Sequence, residues 1–201
     1  MISRIISFQS VQAAFFDFDG VLIDSVPLKS EAYRILFQPF GEDAVKEIES
    51  YHAAHGGVDR YRKIAHVLTK IGSDSNAEIV NKLAERFSSL TLDAAVQAPL
   101  IQGPWDLLLQ LREKRVPCFI VSGTPVTDLT TIVEKRGMKQ YFQEICGSPE
   151  TKPEILKRIL NRDGFSPSKC VFLGDAATDF HAAIEAQMIF IGIPSAEVQE
   201  Y

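Results

Sequence analysis

No apolar stretch of this 201-residue chain approaches the roughly 20 residues a helix needs to cross a bilayer, so no membrane span is expected. Basic excess is missing too. The 21 Lys and Arg against 26 Asp and Glu leave a formal net charge of −5, which argues against a dedicated nucleic-acid or anionic-membrane surface. Cysteine is scarce. Cys118, Cys146 and Cys170 form an odd set without a CxxC pair, and each lies in or beside an apolar run. They read as buried free thiols in a reducing compartment, not as a disulfide or metal framework. The opening MISRIISFQSVQ is too polar and interrupted for a secretory signal core, so the expected location is the cytoplasm. Internal repeats and low-complexity tracts are absent as well. What remains is ordinary globular composition, 46% hydrophobic and 23% charged, long enough for a sizeable core in one or two domains.

The chain alternates two kinds of segment. VQAAFFDF, VPCFIVSG (116–123), KCVFLGD (169–175) and MIFIGI (188–193) read as buried strands, with QEICGS (143–148) a shorter fifth. Between them PWDLLLQLREKR, PVTDLTTIVEKRG, KPEILKRILNRDG and TDFHAAIEAQ read as helices, two of them closing on Gly137 and Gly164. Near-continuous apolar strands alternating with helices predict an α/β fold, a Rossmann-like parallel sheet covered on both faces. Residues 26–99 break the alternation. They read as four helices with breaks at Gly41, Gly56-Gly57 and Gly72 to Asp74, an all-helical cap inserted into a core made of 1–25 and 100–201. Such an insertion would stand over the C-terminal edge of the sheet, where open α/β folds bind ligands. After the last strand only PSAEVQEY remains, short for a closing helix.

Four polar clusters follow apolar strands, which in a parallel sheet places them on one rim. In Asp17-Phe18-Asp19-Gly20 the two acids alternate to one side of an extended chain. One carboxylate can attack as a nucleophile and the other can move protons, while Gly20 lets the backbone turn and approach an anion. Two acids in an apolar stretch are costly to bury without purpose; the plainer alternative is a solvated strand exit. In Ser122-Gly123-Thr124-Pro125 a hydroxyl and backbone N–H groups can hold a phosphate oxygen, although Thr124 also reads as a plain N-cap. Lys152, in SPETKPEIL, is a surface lysine or a cation reaching the rim. In Gly174-Asp175-Ala176-Ala177-Thr178-Asp179, Asp175 ends its strand as Asp17 does, and Asp179 lies one turn further on. Carboxylates gathered at one rim suit Mg²⁺; Asp179 is the weaker ligand of the set and can instead orient its neighbours.

The ordered set DFDGVLIDS, SGTP, KP and GDxxxD resembles the haloacid-dehalogenase-like hydrolase superfamily, most of all its helical-capped phosphoglycolate phosphatase and β-phosphoglucomutase branch. The motifs span residues 17 to 179. The resemblance implies Asp17 as the phosphorylated nucleophile and Asp19 as acid and base. It also implies Ser122 and Gly123 as phosphate contacts, Lys152 as the cationic clamp, and Asp17, Asp175 and the Asp19 backbone carbonyl around Mg²⁺. Dehalogenases and phosphonatases of the superfamily lack an aspartate at the place of Asp19. A leaving alkoxide needs a proton and a halide does not, so phosphoryl transfer is favoured. Ala176 departs from the pattern, where relatives often carry serine.

HGGVDRYRK (55–63) resembles the specificity loop of sugar phosphomutases and related phosphatases, which makes Arg60 the candidate distal contact and leaves Arg62 and Lys63 facing solvent, unless one of them assists Arg60. The plainer reading of the loop is a helix–helix turn with exposed charges. His52, His55 and His66 read as solvated or packing residues, His181 as structural, and Asp24 and Ser25 as hinge or capping groups. The expected activity is Mg²⁺-dependent hydrolysis of a small phosphate monoester through an aspartyl-phosphate. A sugar phosphomutase is the alternative, and a silent phosphate-binding module is the reading from another class. No cap lysine clearly marks the mutase.

Overall fold

The computed structural model describes residues 11–194; residues 1–10 of the polar opening and 195–201 of the short tail lie outside the described residues. Five strands form one parallel sheet: β1 (Ala13–Phe16), β2 (Cys118–Pro125), β3 (Glu144–Ser148), β4 (Cys170–Gly174) and β5 (Ile189–Gly192). Their order is β3-β2-β1-β4-β5, so β1 is central, with Ala14 paired to Cys118 on one side and Val171 on the other.

Side-chain alternation along β1 explains the layering. Ala14 and Phe16 point into one cluster, with Leu108 and Leu111 of α5 (Gln102–Glu113) and Leu129, Ile132 and Val133 of α6 (Val126–Lys135). Ala13 and Phe15 point into the other, with Ile155, Leu156, Ile159 and Leu160 of α7 (Lys152–Asp163) and Ala182 and Ala183 of α8 (Ala177–Glu185). A strand covered on both faces has no polar side to show, which is why AAFF is apolar throughout. Phe15, Phe16, Phe119 and Phe172 are all fully buried, and each contributes about 2–3 kcal/mol of burial free energy.

The helical insertion comprises α1 (Val26–Phe37), α2 (Glu42–Ala54), α3 (Arg60–Lys70) and α4 (Ala77–Gln97). These helices bury an apolar cluster of their own, from Ala32, Tyr33 and Phe37 to Ile64, Leu68 and Phe87. Two local expectations are corrected. The helix expected from Pro104 begins at Gln102, with Pro104 inside its first turn where the missing N–H costs nothing. Strand β2 runs on to Pro125, which takes the N-cap position of α6, so Thr124 is not the cap.

Candidate active site

The sheet brings the four polar clusters to one rim. Asp17 follows β1 directly, its backbone N–H donating to the Leu173 carbonyl at 2.8 Å, so β4 fixes where β1 stops. Asp17 is buried, and its carboxylate lies 2.9 Å from Lys152 Nζ. Lys152 reaches it because it takes the first helical position of α7, after the N-cap residue Thr151, whose N–H and hydroxyl both donate to the Glu154 carboxylate at 2.8 and 2.6 Å. The same ammonium donates to Asp179 at 2.5 Å. Lys152 is therefore no surface lysine. Burial opposes its charge, yet Asp17 and Asp179 outweigh that and raise its pKa.

Asp179 is fully buried in the first turn of α8, and its other oxygen accepts the Ala176 N–H at 3.2 Å. That bond is half of a capping box; Ala176 has no hydroxyl to supply the other half. Ala176 instead packs under the cap, where even a Cβ on Gly56 would lie 2.9 Å from its methyl. Ligand atoms of Asp17, Asp175 and Asp179 all lie within 4.8 Å of one another. Burial, then the neighbouring acids, pushes Asp175 up to about 7. Burial raises Asp17 well above the carboxylate range against the pull of Lys152, with Asp179, Asp175 and Asp19 adding to the rise. Buried hard oxygens that resist ionising together fit a divalent cation, and Asp17 and Asp175 are the two not anchored by a helix cap. Gly20 makes room for them: its φ of +76° suits glycine, and a Cβ there would lie 2.1 Å from Asp175 Oδ2.

Asp19 has a different environment. Lys29 Nζ pairs with its Oδ2 at 2.5 Å, Thr124 Oγ1 donates to the same oxygen at 2.7 Å, and Ser25 Oγ donates to Oδ1 at 2.5 Å. Burial pushes its pKa up, but Lys29 and the three hydrogen bonds win and bring it down to about 2. Two adjacent acids are thus driven in opposite directions. Ser25 occupies the N-cap position of α1 without capping it, because its hydroxyl is spent on Asp19; Asp24 is exposed. Sequence reasoning passed over Lys29, and it gave Thr124 and Ser25 to helix ends.

Ser122 is buried in β2, and its Oγ accepts the Thr124 N–H at 3.2 Å. Gly123 meets the cap: a Cβ there would lie 2.2 Å from the Gly57 carbonyl oxygen. Beside that contact, Thr178 donates to the Gly56 carbonyl at 2.8 Å. The glycine pair of the cap loop therefore rests on the core rim. Arg60, at the start of α3, lines the cavity, with Nη1 paired to Asp128 of α6 at 2.8 Å and bonded to Ser88 of α4. Arg62 is exposed as expected, but Lys63 is not: it is 2% exposed, lines the cavity, and meets His52 Nδ1 at 2.7 Å. His55 and His66 stack on Tyr51 at 3.9 and 4.0 Å, the packing role expected of them. His181 is exposed on α8 beside a second cavity, not a core residue.

The cavity enclosed by rim and cap measures about 110 Å³ and holds Asp17, Asp19, Ser122, Gly123 and Asp175 in its walls with Lys29, His52, Arg60 and Lys63. No helix among the described residues is long and apolar enough to cross a membrane.

Comparison with known proteins agrees with this architecture. A phosphoglycolate phosphatase of Synechococcus elongatus is 24% identical over 185 residues, covering 91% of this chain and 84% of that protein. Hexitol phosphatase B of Escherichia coli K12 is 24% identical over 196 residues, covering 95% and 87%. Among solved structures, CbbY from Rhodobacter sphaeroides in complex with phosphate superposes with a TM-score of 0.80 at 19% identity, covering 95% of this chain and 89% of that one. The family model of the haloacid dehalogenase-like hydrolases matches residues 14–193, from β1 to just past β5, and the chain belongs to that family.

Proposed function

We propose that this protein is a phosphatase that hydrolyses a small phosphate monoester through an aspartyl-phosphate on Asp17, under a helical cap formed by residues 26–99. The observation that carries this reading is the pair of neighbouring carboxylates held in opposed environments within one cavity, Asp17 against Lys152 and Asp19 against Lys29, Thr124 and Ser25. In the protein alone the pKa of Asp17 is raised and that of Asp19 lowered; an anionic phosphoryl group beside Asp19 would raise its pKa towards that of a proton donor, and a cation beside Asp17 would favour its ionised, nucleophilic form. The relatives named as phosphatases support the same reaction class.

In the first half-reaction an Asp17 oxygen bonds to phosphorus, the bond to the leaving oxygen breaks, and Asp19 gives that oxygen its proton. Lys152 and the Ser122 hydroxyl hold the phosphoryl oxygens, with Gly123 beside them. In the second half, a water oxygen bonds to phosphorus, Asp17 is released, and Asp19 takes the proton from the water. The proton given first is thereby regained, and inorganic phosphate leaves. Asp17 and Asp175 would hold Mg²⁺, with Asp179 positioning Lys152. A divalent cation held there supplies charge neutralisation at the phosphoryl oxygens. The cap loop resting on Gly123 shields the phosphoryl group from bulk water. The substrate is a small phosphorylated metabolite, neither nucleic acid nor membrane lipid, met in the cytoplasm.

The test is phosphate release from p-nitrophenyl phosphate with Mg²⁺. Chelator abolishes it, Asp17→Asn lowers it by about a thousandfold or more, and Asp19→Asn by about 10²–10⁴-fold. Undiminished turnover by Asp17→Asn would remove Asp17 from the nucleophile's role.

A further inference from the structure

Two cavities meet the residues assigned to the phosphoryl group. The reaction cavity has Ser122 and Gly123 in its wall; a second cavity, of about 370 Å³, shares both and adds Lys152. It runs between the cap loop and α8. Arg62, His181 and Glu185 in its wall are exposed, so it opens to solvent. Two of its acids are already matched by cations, Asp59 by Arg62 at 3.2 Å and Glu150 by Arg158 at 2.8 Å, which eases the passage of an anion.

The partition between the cavities is thin. Gly57 lines both, with a φ of +76°, and its carbonyl oxygen rests against Gly123. The neighbouring Gly56 carbonyl accepts the Thr178 hydroxyl of α8 at 2.8 Å. A Cβ on Gly57 would strike that hydroxyl and lie 3.2 Å from Lys152 Nζ, so the loop covers the lysine with bare backbone. Within the loop the Val58 N–H donates to the His55 carbonyl at 3.4 Å, a long bond that resists displacement weakly.

The two products make different demands on these cavities. The leaving oxygen departs on the cap side while the phosphoryl group stays on Asp17. Inorganic phosphate forms later, among Ser122, Gly123 and Lys152, which all stand in the wall of the second cavity. We propose that the glycine pair Gly56-Gly57 is a gate latched by Thr178, and that inorganic phosphate leaves through it into the second cavity. This rests on the phosphatase reading. Thr178 acts through the loop and is a positioning residue: the latch holds the gate shut during the chemistry, and one side-chain hydrogen bond is what its opening gives up.

The second cavity can be plugged from a wall it does not share with the reaction cavity. His181→Cys and Glu185→Cys each place a thiol on α8, while Cys118, Cys146 and Cys170 are buried. Benzyl methanethiosulfonate attaches an aromatic plug to the new thiol as a mixed disulfide, and dithiothreitol removes it from the same protein. Hydrolysis of p-nitrophenyl phosphate in ¹⁸O-water then reads escape against reversal. Phosphate that is slow to leave bonds to Asp17 again, expels one oxygen as water with a proton from Asp19, and gains a further labelled oxygen at the next hydrolysis. The plug is expected to raise the share of multiply labelled phosphate by about tenfold, or to lower steady turnover by as much below the first-turnover release of p-nitrophenol, and reductant reverses either effect. Thr178→Val deletes the latch and should weaken inhibition by inorganic phosphate by about three- to tenfold, with Thr178→Ser restoring it. Neither a label ratio nor an inhibition constant changes with the fraction of folded protein. Turnover and labelling unmoved by the plug, or phosphate inhibition unmoved in Thr178→Val, overturns the gate, while turnover itself leaves the phosphatase reading standing. If no phosphate ester is turned over, both fall.

Discussion

At the scale of single residues, the decisive contacts join positions far apart in the chain. Asp19 and Thr124 are 105 positions apart and share a hydrogen bond, and Lys29 completes the same cluster from α1. His52 carries a prediction of its own. Burial lowers its folded pKa to about 3, below the unfolded value of about 6.5, with Lys63, Lys29 and Asp19 as the charges that bear on it. Below pH 6.5 the unfolded chain binds a proton that the folded one refuses, so this contribution is present above pH 6.5 and is lost as pH falls towards 3. Unfolding titrations of wild type and His52→Gln should therefore diverge in that window, with the wild type losing up to about 1.4 kcal/mol more per pH unit. Parallel curves would place the imidazole in water. Asp17, Asp19 and Asp175 were legible without coordinates because acids interrupt apolar strands at the same end. Lys63 was not, since a cation in RYRK looks the same whether its helix turns it outward or into a cavity. Thr124 and Ser25 were read through their local sequence, and both were spent on Asp19 instead.

At the scale of elements, the strands and helices were read closely because both faces of the sheet are covered and every strand is apolar. The cap–core seam was not, because it depends on which helix faces meet. Among its contacts are the Gly57 carbonyl against Gly123, and Arg60 of α3 against Asp128 of α6. Arg60 is 5% exposed and lies over the Phe87 ring at 4.9 Å, so removing its acid partner strands a buried guanidinium. Asp128→Ala is expected to cost about 3 kcal/mol in chemical denaturation, at the low end for a buried pair because the Asp128 side chain is 18% exposed. Arg60→Met leaves Asp128 at a partly hydrated edge and should cost less. A loss below about 0.5 kcal/mol in Asp128→Ala would mean that the pair is solvated like an ordinary surface bridge.

At the scale of the whole molecule, the fold concentrates like charge where its sheet ends. Asp17, Asp175 and Asp179 converge from β1, the end of β4 and α8, with Lys152 as the cation pairing with Asp17 and Asp179. The raised pKa values of Asp17 and Asp175 record first the cost of burying their charge and then the repulsion of the neighbouring acids, in the protein alone. A cation that binds the folded chain and not the unfolded one offsets the cost and shifts the folding equilibrium by mass action. Saturating Mg²⁺, at about a hundred times its dissociation constant, should therefore stabilise the protein by about 2.7 kcal/mol, a rise of about 5–10 °C in melting midpoint. Asp175→Asn removes a ligand and one repelling charge together. It should leave the metal-free protein at least as stable as wild type while abolishing most of the Mg²⁺ shift, a combination that mere damage to the fold does not produce. Differential scanning calorimetry with Mg²⁺ and with chelator reads both halves. An unchanged Mg²⁺ shift in Asp175→Asn would place the ion elsewhere on the protein and leave the acidic convergence to Lys152 alone.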